Sequence, residues 1–569
     1  MMKFNFWIQF WDFFRLQHEK RELRGILLVV GVSALALVLF SFYIPRGGEH
    51  SPSLLSNQYA GHLDFLRSHQ LDAAALHLRQ ARTTSPANHT QSKKSSGYPN
   101  TEQSNLNQLP ELNQFSIDGS SSEKNGSSTS NKQLELETEA RQTENHERCQ
   151  GRYVYMYKLP PEFNEDLVEK CGRATDDWVP LCGNLNNNGY GPSIPTSSFH
   201  LNQSDIDSLI ELVPPHAWYR TEQFSLEVIF HERLRKGYPC LTEDTELANA
   251  FYIPYYAALD TAFTLFKPHL ATRDRLAQRL IGWLRGSEVW TNFQGIKKHF
   301  MVLGRVTWDL ARKEEVVDGW GSSLLSQVEL SNVTMLLIER RTWVSNEIAI
   351  PYPTSFHPSS SSDVELWQAK LRERMSKRSK LLSSFIGSTS RGNEWSRALR
   401  VELAKQCNQA GANACQAYKC GDGTFDCARN PEHVNALFLS STFCLQPSGD
   451  SPTRKGIFDS LVAGCIPVLF NEASAYTQYY WHLPQNGSLY SVLFNGEDVI
   501  HRNVDIFATL ADIANDTHRL RRMQEEIINM LPHIVYSLST SNDGSDTTFH
   551  DAVDVALESL FTGAPIPTM

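Results

Sequence analysis

The stretch FCLQPSGDSPTRKGIFDSLVAGCIPVLF, residues 443–470, gathers side chains suited to holding an anion. It reads as strand, polar loop, helix and strand. Its loop therefore lies at a strand's carboxyl end, where open α/β sheets bind ligands. Gly449 admits close approach of backbone. Asp450 and Ser451 follow it, and Thr453 is placed to cap the next helix. The helix N-terminus offers unsatisfied N–H groups and partial positive charge to a phosphate. Arg454 adds a planar fork of donors, and Asp459, one turn on, can accept a ribose hydroxyl. The plain alternative is a solvated Lys455–Asp459 pair at i, i+4. The loop lacks the GxxxxGK[ST] pattern of a P-loop. A second strand–loop–helix, LLSSFIGSTSRGNEWSRALRVELAKQC, carries Gly387, Ser388, Ser390, Arg391 and Asn393 in its loop. It provides a second wall, and two such loops in the C-terminal half point to a nucleotide domain.

The chain that positions these groups has 569 residues, too many for one core at roughly 100–200 residues per domain. It is 41% apolar and 20% charged, so most of it is globular. A net charge of −10 argues against a nucleic-acid partner, which calls for a basic face. From residue 149 strand-like and helical runs alternate. GRYVYMYKLPPEFN is an apolar strand ended by Pro160 and Pro161. TEQFSLEVIFHERLRKG reads as a helix with Thr221 as N-cap and Gly237 as stop. AFYIPYYAALD reads as strand then loop, and HFMVLGRV and VTMLLIE as strands. This alternation predicts parallel α/β sheets, in two domains facing across a cleft with a boundary near residue 375.

Residues 25–44, GILLVVGVSALALVLFSFYI, are uncharged and long enough to cross a ~30 Å hydrocarbon core as a helix. Lys3, Arg15, Lys20, Arg21 and Arg24 precede them, and only Arg46 and Glu49 follow closely. The positive-inside rule leaves residues 1–24 cytosolic and translocates the rest. A cleaved signal peptide fits less well, because the run exceeds a typical h-region and no small-residue cleavage site follows. Residues 45–148 are rich in Ser, Asn, Gln and Glu, and bury too little apolar area to offset ordering. They read as a flexible luminal stem, with helical periodicity only in HLDFLRSHQLDAAALHLRQA. All ten cysteines lie beyond the anchor, which predicts disulfides. Cys407, Cys415, Cys420 and Cys427 read as two local bridges; a zinc site is the alternative, but no pair has CxxC spacing. Cys444 and Cys465 sit in apolar runs and read as buried free thiols. Sequons fall at Asn88, Asn125, Asn202, Asn332, Asn486 and Asn515.

Seven blocks in fixed order carry a resemblance: GRYVYMYKLPPEFN, TEQFSLEVIFHERL, AFYIPYYAALD, HFMVLGRVTWDL, IPYPTSFHPSSSSDVELWQ, FCLQPSGDSPTRKGIFDSLVAGCIPV and AYTQYYWHLP. They are similar to the exostosin-type glycosyltransferases, family 47, and within it to plant xyloglucan galactosyltransferases, from Cys149 to about residue 560. The resemblance implies a GT-B fold of two Rossmann-like domains. Residues 149–375 would form the acceptor side and residues 376–569 the nucleotide-sugar side. It implies an inverting transfer from a UDP-sugar to a polysaccharide, in a single-pass type II Golgi membrane protein. No cofactor or metal is expected; there is no DxD, and Asp244, Thr245 and Glu246, the nearest approach, lie in the N-terminal half. The family's donor motif falls on Gly449, Asp450, Ser451, Thr453, Arg454 and Asp459, with Gly387 and Arg391 alongside. Arg454 would stabilise the departing UDP in place of a metal, and Asp459 would hold the ribose.

Inversion in one displacement needs a base on the acceptor hydroxyl, opposite the leaving group and so on the N-terminal side. Glu227 and His231 share a helix face at i, i+4, although a surface Glu–His pair has the same spacing. Asp260 and Asp309 are further candidate acids. His299 and Arg305 flank the HFMVLGRVTWDL block as acceptor contacts. Tyr479 and Trp481, in AYTQYYWHLP, offer rings to sugar C–H faces, though most such rings belong to a core. Lys158, Lys298 and Pro452 depart from the family pattern, and Lys298 beside His299 bears on acceptor or donor charge. Three functions compete: galactosyl transfer to xyloglucan; the same chemistry with UDP-galacturonic acid, UDP-arabinose or UDP-xylose; and a non-catalytic scaffold among other Golgi glycosyltransferases.

Overall fold

The computed structural model describes residues 149–173, 180–199, 216–313, 319–376, 381–390, 392–420, 427, 430–502, 504–538 and 549–564. The expected anchor, the stem, Asn88, Asn125, Asn202 and Arg391 lie outside them. Among the described residues no helix is long and apolar enough to cross a membrane.

Two sheets organise the chain, and every pairing in each is parallel. The first contains β1 (Val154–Met156), β2 (Leu241–Thr242), β3 (Ala250–Tyr252), β4 (Lys298–Val306), β5 (Val333–Glu339) and β6 (Glu347–Ala349), in the order β2-β1-β3-β4-β5-β6. The second contains β7 (Leu381–Gly387), β8 (Cys415–Lys419), β9 (Ser441–Gln446), β10 (Ile466–Leu469) and β11 (Val492–Leu493), in the order β11-β10-β9-β7-β8. Parallel neighbours require crossover connections, which cover both faces of a sheet with helices. The strands accordingly lack a polar face: every residue of β3, β9 and β10 is buried. This is the mixed α/β architecture that the alternating pattern predicts.

Seven helices bear on the site: α1 (Leu226–Gly237), α2 (Ala257–Thr264), α3 (Ser361–Ser376), α4 (Glu394–Ala410), α5 (Lys455–Val462), α6 (Thr517–Ile534) and α7 (Ala552–Thr562). Gly237 ends α1 as its sequence predicts, but the N-cap is Ser225. Thr221 lies four residues upstream, where its hydroxyl donates to the Tyr190 carbonyl at 2.7 Å and meets His357 Nε2 at 2.8 Å. Asp260 is not on a loop; the helix after β3 starts early enough to hold it in the first turn of α2. Helix α3, just before the expected boundary, packs on the second sheet's helices. Trp367 Nε1 donates to Val462 O in α5, and Gln368 Nε2 to Ile528 O in α6.

Five disulfides staple the fold: Cys149–Cys240, Cys171–Cys182, Cys407–Cys415, Cys420–Cys427 and Cys444–Cys465. The two local bridges in the crowded segment are as the spacing predicts. Cys444 and Cys465 are not free thiols. The parallel register that sets Phe443 opposite Ile466 brings both into one layer, where they bond.

The last described helix, α7, returns to the first half. Arg233 of α1 is 1% exposed and donates to Asp551 at 2.9 Å and to Asp554 at 2.8 Å, the two residues that form the capping box of α7. Ser537 completes the network through both its backbone N–H and its hydroxyl. Removing one member of a buried ion network strands the others, at about 3–5 kcal/mol. Arg233→Ala is therefore expected to lower the urea unfolding free energy by about that amount; unchanged stability would show that α7 is held by apolar packing alone.

Candidate active site

The loop between β9 and α5 is shaped by a tight turn, in which Gly449 N–H donates to Ser451 O at 2.9 Å. Ser396 of α4 donates to Gly449 O at 2.8 Å. A Cβ on Gly449 would lie 3.2 Å from Arg400 Nη2, so the glycine makes room for that guanidinium. Thr453 does not cap α5: Arg454 is the N-cap residue, and no side chain caps the first turn. Arg454 donates from Nη1 to Pro447 O and from Nη2 to Ile386 O, each at 3.0 Å. These carbonyls close the carboxyl ends of β9 and β7, and they use two of the five guanidinium N–H groups. Gly387 backs onto the same group. Arg400, reaching in from α4, donates to Ser388 O at 3.0 Å.

Neither Arg400 nor Arg454 forms an ion pair among the described residues. Burial first, and then the positive charge of Arg400, bring the pKa of Arg454 down to about 9, against the opposing charge of Asp459. Burial also lowers Arg400, opposed by the charge of exposed Asp450. Two neighbouring cations, Arg400 buried and Arg454 half-buried, with mainly carbonyl partners, make a seat that an anion would relax. Asp459 is not solvated. It is buried, and Lys455 Nζ meets both its oxygens at 2.7 and 2.8 Å.

From the first half, Glu339 reaches this loop from the carboxyl end of β5. It accepts from Ser451 Oγ at 2.7 Å, Thr453 N at 2.9 Å, the Thr453 hydroxyl, and Trp308 Nε1 at 3.1 Å. Burial pushes its carboxyl up, and these donors pull it back. On either side of it, Tyr479 OH donates to Ile338 O at 2.9 Å and Arg340 N to Gln478 Oε1 at 2.9 Å. Tyr479 is thus a buried junction residue and not a groove lining, because its ring packs edge-on against Phe458 at 4.7 Å. Trp481 is half-buried.

The other candidates separate. Glu227 and His231 are not bonded to each other. Glu227 accepts from Ala258 N at 2.7 Å, at the start of α2, and from Gly304 N at 3.1 Å, while His231 Nδ1 meets Tyr256 OH at 2.7 Å. Asp260 accepts from Tyr255 OH at 2.8 Å, and burial raises its pKa to about 6. His299 opens β4, at the amino end of the strand and so on the side of the sheet away from the donor loop. It is stacked on Phe251 at 4.9 Å and bonded to Tyr157 OH at 2.9 Å. Lys298 donates to Leu560 O and Phe561 O at the end of α7, which removes it from donor or acceptor recognition. Arg305 and Asp309 do reach the carboxyl end of β4, as a 2.7 Å ion pair. Arg305 also lies 4.5 Å over the Phe224 ring.

Beside them stands Glu222, half-buried, with Oε2 accepting from Phe224 N at 2.6 Å. Burial raises its proton affinity against the Phe224 N–H and the charges of Arg305 and Lys455. Those two cations belong to opposite halves of the chain, Arg305 to β4 and Lys455 to the first turn of α5. Glu222, Glu339 and Arg400 escaped the sequence reading. The acid that ends the apolar run VTMLLIE, at a strand's carboxyl end, was a usable signal for Glu339; Arg400, inside a helix, gave none. Among the described residues no three His, Cys, Asp or Glu side chains are grouped to hold a metal ion.

Residues 148–510 match the exostosin GT47 domain, and the chain belongs to that family of glycosyltransferases. It is 39% identical to the Arabidopsis thaliana probable xyloglucan galactosyltransferase GT15, over 72% of this chain and 82% of that one. Identity is 37% to the xyloglucan galactosyltransferase MUR3 of the same plant, over 71% of this chain and 62% of that one. It is 38% to its xyloglucan-specific galacturonosyltransferase 1, over 73% and 57%.

Burial raises the pKa of Glu227 from 4.5 to about 8, against the backbone N–H groups that lower it. The folded state then holds a proton that the unfolded state has released. The contribution to stability is complete below the unfolded value and is lost as pH rises toward the folded one. Glu227→Gln is expected to flatten the decline in unfolding free energy between about pH 5 and 8, measured by urea titration across that range. An unchanged slope would mean that Glu227 is ionised in both states.

Proposed function

We propose that the protein is an inverting GT-B glycosyltransferase of the Golgi membrane, with its catalytic region luminal. It moves galactose from UDP-galactose onto xylosyl side chains of xyloglucan. The observation that carries this reading is the pair of guanidiniums at a strand-end loop, buried Arg400 and half-buried Arg454, without an ion-pair partner among the described residues. Two parallel sheets meeting at that loop fit the GT-B architecture, and the plant relatives supply the substrate class.

In this mechanism Glu222 takes the proton of an acceptor hydroxyl. The hydroxyl oxygen forms its bond to the sugar's anomeric carbon as the bond from that carbon to the diphosphate breaks. The departing electron pair settles on a phosphate oxygen facing Arg454 and Arg400. Fixed cations aimed at developing charge are a large source of rate, and they do here what a metal does elsewhere. Raised proton affinity makes Glu222 a better base than an ordinary surface carboxylate. A galacturonosyl donor is the neighbouring reading, and similar identity to a galacturonosyltransferase keeps it within the same assay.

The test is transfer from a panel of UDP-sugars to xyloglucan and pectic oligosaccharides, with and without EDTA. EDTA-resistant transfer from UDP-galactose to xyloglucan is expected; another preferred donor would replace the substrate, and UDP binding without transfer would favour a scaffold. Arg400→Ala and Arg454→Ala are each expected to weaken UDP binding at least tenfold, about 1.4 kcal/mol, by calorimetry. Undiminished affinity in both would remove the diphosphate from this loop. Glu222→Gln is expected to lower kcat by about 10²–10⁴-fold with UDP affinity kept; near-normal kcat would assign the base elsewhere.

A further inference from the structure

The carboxyl ends of β4 and β5 carry a concentration of large aromatic rings that the donor chemistry does not use. Trp343, four residues past β5, is 61% exposed, and Phe266, just past α2, is 62% exposed. Each is half of a ring pair. Trp308 and Trp343 have centroids 5.8 Å apart with planes at 50°, and Phe266 and Trp320 are 5.7 Å apart at 74°. Both pairs are fixed by hydrogen bonds to buried carboxylates. Trp308 Nε1 donates to Glu339, and Trp320 Nε1 donates to Asp309 at 2.7 Å. Asp309 is also the partner of Arg305. The arrangement therefore alternates ring pair, ion pair, ring pair, with the ion pair's side chains largely buried between the exposed rings.

That alternation matches one ligand chemistry. A sugar offers an apolar C–H face to an aromatic plane, and a rim of hydroxyls to carboxylate and guanidinium groups. Rings held by their N–H groups lose little rotamer freedom on binding, so the surface is preorganised. Large exposed aromatic groups rimmed by polar residues mark binding sites more often than chance surface. The position is equally specific: the carboxylate that holds Trp308 also holds Ser451 and Thr453 of the donor loop. A chain lying on this surface starts beside the donor and runs away from it.

We propose that Trp308 and Trp343, with Trp320 and Phe266 farther out, form the platform on which a neutral oligosaccharide acceptor lies, its hydroxyls met by half-buried Arg305, which buried Asp309 holds in place. This deepens the proposed function and rests on it for the identity of the glycan. It moves the acceptor site away from Tyr479 and His299, which are buried.

The test uses the full-length chain in native affinity gels containing xyloglucan, arabinoxylan, galactomannan or homogalacturonan, alongside calorimetry with UDP. Trp343→Ala, at an exposed position, is expected to weaken xyloglucan retardation at least fivefold and to leave UDP affinity unchanged. Trp343→Phe should restore most of it, and Phe266→Ala should weaken retardation by long acceptors more than by short ones. In kinetics the loss should appear in the acceptor KM, with kcat kept at saturating acceptor. Retardation by a different neutral glycan, lost in Trp343→Ala, would keep the platform and overturn xyloglucan as the substrate. Retardation unchanged in both alanine variants, or absent in the wild type for every glycan, would overturn the platform, while the UDP-galactose assay decides the activity separately.

Discussion

A single buried carboxylate, that of Glu339, fixes the active region. It ends the first sheet's β5 and satisfies a hydroxyl, a hydroxyl and backbone N–H, and an indole N–H at once. Burying such a group is costly unless its lone pairs are filled, and these donors come from both halves of the chain. The loop at residues 449–454 therefore cannot drift from the first sheet without leaving an unsatisfied charge. The adjoining residues repeat the constraint more weakly, with Ile338 and Arg340 joined to Tyr479 and Gln478. Positions on both sides of the reaction are referred to one strand end.

The charge distribution follows from the same geometry. A chain with a net charge of −10 still concentrates two guanidiniums at the ends of β7 and β9. Carboxyl groups gather opposite them, at the ends of β4 and β5. In the proposed mechanism this places cations where the leaving group departs and carboxyls where a proton must go, the separation that an in-line displacement requires. Net charge said little about this, because the relevant charges are local and partly or wholly buried.

Much of the fold was legible because parallel strands announce themselves: FCLQP, VTMLLIE and HFMVLGRV are apolar runs bounded by turn residues. The loop at 449–454 was legible for the same reason, as polar residues at a strand end. Roles that depend on three-dimensional neighbours were not. Glu227 and His231 have the spacing of a catalytic pair, yet in the fold Glu227 accepts from the backbone N–H groups of Ala258 and Gly304 while His231 meets the Tyr256 hydroxyl. His299 stands in a family block, but it opens the run HFMVLGRV, and the amino end of a parallel strand lies opposite the edge where ligands bind. Cys444 and Cys465 lie 21 residues apart in two apolar runs, and only the β9–β10 register shows that they meet. Arg400 could not be singled out, since a helical arginine that points inward looks like one that points outward.

The return of α7 to the first half has a consequence for how the molecule is made. A ribosome delivers the chain from its amino end, so the first sheet emerges long before Asp551 and Asp554. Until they arrive, Arg233 has no counter-ion from α7 and the Leu560 and Phe561 carbonyls are not there to receive Lys298. The first half must wait, incomplete, through synthesis of the entire second sheet. Its closure waits until Asp551 and Asp554 have been made, so the window for chaperone capture lasts at least as long as translation from Ala349, the end of the first sheet, to Asp551.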